Sequence, residues 1–108
     1  MKEEYFQMID LYLERERIRH YHELELFNQE VLEDFFRYWE RTKVEDFNLS
    51  YLTEEDKKDY YRYLLGDYPA NTVIFARGKM RTVDNFLAFL TRVGLLSKNP
   101  WEGSGQLS

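Results

Sequence analysis

The sequence predicts an all-α fold of four helices, on three observations. Apolar residues recur at spacings of three and four along almost the whole chain, the period of a helix with one buried face. Only 2 prolines and 5 glycines interrupt 108 residues, and both prolines fall at breaks between the periodic segments. Aromatic residues make up 18 % and apolar residues 44 %, enough to build a core at this length.

The first helix is expected over about Glu3 to Glu16. Phe6, Ile9 and Leu13 set its period, and Tyr5, Met8 and Tyr12 widen the face. The polar, basic stretch Arg15 to His22 is expected to hold the first connection. The second helix is expected from about Tyr21 to Thr42. Leu24, Phe27, Val31, Phe35 and Tyr38 step along it, with Leu32, Phe36 and Trp39 beside them, a stripe broad enough for a bundle. A loop over Lys43 to Leu52 follows.

Thr53 opens the third helix as its N-cap, and Glu54, Glu55 and Asp56 complement the helix dipole in the first turn. Tyr60, Tyr61, Leu64 and Leu65 supply its buried side, and Gly66 is placed to end it. The fourth helix is expected from Asn71 to Val93, closed by Gly94. Ala76, Met80, Val83, Phe86, Leu87, Leu90 and Val93 share one arc, and Phe75 and Phe89 extend its edge. The opposite side carries Ile74, Arg77, Gly78, Arg81, Asn85, Ala88 and Arg92. Lys79 falls within the apolar arc and is expected at its border, its ammonium in water. Residues 1–101 form the helical domain, and 102–108, with Gly103-Ser104-Gly105, a flexible linker or tail.

Net charge is −5 but unevenly spread. Residues 1–69 hold 10 Lys and Arg against 18 Asp and Glu. Beyond them, Arg77, Lys79, Arg81, Arg92 and Lys98 face only Asp84 and Glu102. The acidic part reads as solvated helix faces, with Lys57 and Lys58 as ordinary surface cations. Absence of cysteine removes disulfides, thiolate metal sites and cysteine nucleophiles. His20 and His22 are two apart and diverge on a helix, so no metal site is expected. No glycine-rich phosphate loop is present. No enzymatic activity, cofactor or small-molecule substrate is expected. With no apolar run near a membrane span and no signal-peptide pattern, the expectation is a cytoplasmic protein without membrane contact.

The run Asn85-Phe86-Leu87-Ala88-Phe89-Leu90-Thr91-Arg92-Val93-Gly94-Leu95-Leu96-Ser97-Lys98-Asn99-Pro100 resembles the end of the core-binding domain of tyrosine recombinases, the phage-integrase family. In that family a long helix carrying Phe-x-x-Phe/Tyr-Leu precedes Gly, two aliphatics, two polar residues and Asn-Pro. The aromatic second helix ending Phe35-Phe36-Arg37-Tyr38-Trp39, the Thr-capped third helix and Pro69-Ala70-Asn71-Thr72 agree in order, so about residues 5–101 are covered.

The resemblance implies a four-helix, SAM-like bundle that packs on double-stranded DNA as half of a clamp, the catalytic half not being in this chain. It implies DNA contacts from Thr72, Arg77, Lys79, Arg81 and Asn85 on the fourth helix, and from Arg19, Tyr21 and His22 before the second. The chain is then a piece of a recombinase or a stand-alone relative, and other recombinase protomers are possible partners. The alternative is a protein-interaction module of the same fold, whose acidic body binds a basic partner.

Overall fold

The computed structural model describes residues 3–19, 25–43, 48–66 and 72–101. Among these residues the chain is all-α: α1 (Glu3–Arg19), α2 (Glu25–Thr42), α3 (Glu54–Leu65) and α4 (Thr72–Arg92), with one 3₁₀ turn over Leu49–Tyr51 and no strand. The chain divides into two compact units, Met1–Phe47 and Asn48–Ser108.

In the first unit α1 packs on α2. Tyr5, Ile9, Tyr12 and Leu13 are buried on α1, and Val31, Leu32, Phe35, Phe36 and Trp39 on α2. The aromatic rings interlock. Tyr5 stacks on Phe36 at 4.2 Å and 11°, while Phe35 meets Trp39 edge-on at 6.2 Å and 83°. Such pairs add about 0.5–1.5 kcal/mol beyond the area they bury. Along α2, Gln29 and Arg37 both donate to the half-buried Glu33 from one turn either side, at 2.9 and 3.2 Å.

Two expectations for this unit change. α1 runs on to Arg19 instead of ending near Glu16, because Arg and Glu are good helix formers and carry no stop signal. Phe6 and Phe27 are exposed, so the buried stripe of α1 starts one residue earlier, at Tyr5. The first described residue of α2 is Glu25; residues 20–24, including the expected helix start at Tyr21, lie outside the described residues.

The second unit pairs α3 with α4. The described part of the expected loop before α3 holds a 3₁₀ turn. Asn48 accepts from the Ser50 backbone N–H at 2.9 Å, which starts the 3₁₀ turn, and Leu49 and Leu52 are buried. Thr53 then caps α3 as expected, and the cap is reciprocal. Its hydroxyl accepts from Asp56 N–H at 3.1 Å, and the Asp56 carboxylate accepts from Thr53 N–H at 2.9 Å. Gly66 ends α3 at φ 45°, its N–H donating to Arg62 C=O. Gly94, at φ 85°, ends α4 and lets the N–H groups of Leu95 and Leu96 return to Leu90 C=O at 2.9 and 3.1 Å.

Tyr60 and Leu64 are buried on α3, as are Ala76, Met80, Val83, Phe86, Leu87, Phe89 and Leu90 on α4. Val93 was expected in that arc but lies exposed, because the helix ends at Arg92 and the chain has already turned. Phe75 is exposed as well. After α4 the chain folds back, burying Leu96 and Trp101. Trp101 Nε1 donates to Thr53 C=O at 3.0 Å, and its backbone N–H donates to Asn99 Oδ1.

Candidate nucleic-acid interface

α4 holds four bases, Arg77, Lys79, Arg81 and Arg92, and one acid, Asp84. Its apolar residues bury one side, and that fixes what the other side presents. Ile74, Gly78, Arg81, Asn85, Ala88 and Arg92 follow one another at steps of three and four, and Arg77 stands beside Gly78 one turn from both Ile74 and Arg81, so all share a face. All of them are exposed except Gly78, which is half-buried. This face carries three guanidinium groups and no carboxylate.

At 1.5 Å of rise per residue, Arg77 and Arg81 stand about 6 Å apart along the axis, and Arg92 about 16 Å further on. Among the described residues no carboxylate lies within ion-pair distance of Arg77 or Arg81. A Cβ placed on Gly78 would meet nothing within 4 Å, so packing inside the protein does not demand glycine there.

The remaining predicted contacts fall elsewhere. Lys79 is half-buried on a different side of α4 and does not join the face. Thr72 is the first residue of α4, in the second unit, and Arg19 is the last of α1, in the first. Tyr21 and His22 lie outside the described residues. Thus Arg77, Arg81 and Asn85 are brought together, and Arg92 and Ile74 join them. Counting along the helix already placed both on this side, but nothing in the sequence marked them as contacts.

The edge of this face is set by an interaction that the sequence did not show. Asp84 follows Arg81 by three residues, close enough to pair with it along the helix. Instead its Oδ1 lies 3.4 Å from Lys57 Nζ on α3. Lys57 was expected to be an ordinary surface cation, but its side chain is only 9 % exposed, against 43 % for Asp84. The Trp101 ring covers it, with the ammonium 5.9 Å from the ring centroid. Burial raises the Asp84 carboxyl above its ordinary 3.8 and outweighs Lys57, which pulls it down.

Among the described residues no group of three or more His, Cys, Asp and Glu is arranged to hold a metal ion, and no helix is long and apolar enough to cross a membrane. No family model matches the chain, and no match is found to a curated protein or to a solved structure.

Proposed function

We propose that this chain is a DNA-binding module resembling the core-binding domain of tyrosine recombinases, one that holds duplex DNA without cutting it. The observation that carries the reading is the exposed, carboxylate-free face of α4 with Arg77, Arg81 and Arg92. B-DNA has a major groove about 12 Å wide that admits one helix. Arginines along such a helix neutralise phosphates, and each contact releases counterions. Gly78 and Ala88 keep the face low, so the backbone can approach the duplex. Asn85 offers both a donor and an acceptor, the pair that matches an adenine edge. The acidic remainder of the chain limits polyanion attraction to this face, so the module acting alone binds weakly.

The test replaces Arg77 and Arg81 together with Glu. Binding should weaken on every duplex sequence, and the slope of log affinity against log salt should flatten by about two phosphate contacts. Lys58→Glu with Arg62→Glu reverses two exposed charges on α3 and should change binding far less. Binding that neither pair alters removes this face from the interface, and no wild-type binding in titrations carried to high concentration at low salt overturns the DNA reading. The protein-interaction reading then takes its place.

A further inference from the structure

Ile74 is 75 % exposed, the most exposed large aliphatic side chain on α4, and it stands at the head of the arginine face. One turn on are Arg77 and Gly78, and seven residues on is Arg81. Its neighbours Val73 and Phe75 are less exposed and point to either side of the face, as adjacent helix residues do. An aliphatic group in line with guanidinium groups, with no acid within a turn of it among the described residues of α4, fits a surface that presents an apolar patch among anionic groups. The major groove has that chemistry, because each thymine projects its C5 methyl between the phosphate backbones. The charge of the face selects the polyanion, and the branched side chain of Ile74 is shaped for contact with a methyl group.

We infer that Ile74 reads thymine methyl groups in the major groove and gives this module a preference for A·T-containing sites. The inference rests on the DNA-binding reading and deepens it. The arginines would supply affinity at any sequence, while Ile74 would supply discrimination that no phosphate contact can give. Asn85, eleven residues further along the same face, would favour adenine and so point the same way.

Two duplexes isolate the methyl group. One alternates deoxyadenosine and thymidine; the other carries deoxyuridine in place of every thymidine. Charge and base pairing are the same, so the salt-dependent part of binding cancels. The wild-type chain should bind the deoxyuridine duplex about fourfold more weakly for each methyl contacted, the equivalent of one buried methylene group. Ile74→Ala should bind both duplexes alike, at the wild-type affinity for the deoxyuridine duplex. Val93→Ala, at an exposed apolar residue just past the end of α4, should keep the wild-type preference. Thermal melts of Ile74→Ala should match wild type, as expected for an exposed position. Equal wild-type binding to both duplexes, still weakened by Arg77→Glu with Arg81→Glu, overturns the methyl contact and leaves the DNA reading standing. A preference that persists in Ile74→Ala also overturns it. No wild-type binding to either duplex overturns the DNA reading itself, and this inference with it.

Discussion

Lys57 Nζ and Asp84 Oδ1, 3.4 Å apart, tie α3 to α4 beneath the Trp101 ring. The neighbouring Lys58 is exposed, reaches no further than Glu55 on its own helix, and does no such work. Lys57 therefore acts at two levels. It bridges the two helices of its unit, and it engages the one acid of α4 that stands within a turn of Arg81.

Replacing Lys57 with Met keeps the buried stem and removes the ammonium. We expect a loss of about 1–2 kcal/mol, measured by denaturant unfolding, because a partly buried carboxylate loses its partner. The lower end is favoured by the solvent that reaches Asp84. Lys58→Met should cost almost nothing. If the DNA reading holds, Lys57→Met also frees Asp84 to pair with Arg81. Duplex binding should then weaken in Lys57→Met and recover in Lys57→Met with Asp84→Asn.

Asp84 sets a pH dependence with a definite sign. Burial raises its pKa in the folded state, so folded protein holds this proton more readily than the unfolded chain. Its contribution to stability is full below the ordinary 3.8 and is lost as pH rises through the raised folded value. Unfolding titrations across acid pH should show this decline in wild type and not in Asp84→Asn. Lys57→Met should carry the decline to higher pH, since Lys57 is the group that lowers the pKa.

The Tyr5 phenol is pushed up to about 12, first by burial and then by Glu4 and Glu40. Folded protein keeps this proton above pH 10.0, where the unfolded chain gives it up. Stability from this group is complete below 10.0 and falls away as pH rises toward about 12. Tyr5→Phe should preserve the stack on Phe36 and flatten this alkaline decline. It should also remove one late-titrating phenol from the ultraviolet tyrosinate curve.

Gly78 separates stability from function. Alanine inside a helix is favoured over glycine by about 1 kcal/mol, and the added methyl meets no neighbour. Gly78→Ala should therefore raise the melting temperature. If close approach of the α4 backbone is part of DNA binding, the same variant should bind duplex more weakly. Higher stability with unchanged binding would remove Gly78 from the interface.

The features legible in the sequence are those set by neighbours along the chain. The Thr53 cap, the glycines that end α3 and α4, and the exposed face from Ile74 to Arg92 all follow from local spacing, and all are seen. Burial of single residues was less legible. Phe6, Phe27, Phe75 and Val93 have the composition of a core but lie exposed, because an adjoining surface decides what is covered. Lys57 and Lys58 differ only in which way they point from α3, and a sequence of two lysines does not rank them. The partner of the α4 face is not legible from any of this, since charge and shape name a chemistry and not a molecule.

The hydrogen bond from Trp101 to Thr53 spans 48 residues. A contact so distant in sequence is won only after the intervening chain has closed, so it should form late in folding. Interactions absent from the transition state control escape from the native state more than arrival in it. We expect Trp101→Phe to unfold faster than wild type while folding at nearly the same rate, read by stopped-flow circular dichroism. The clasp that finishes this unit would then set its lifetime, and the first place it opens would be the start of α3, where one side of the Asp84 tether begins.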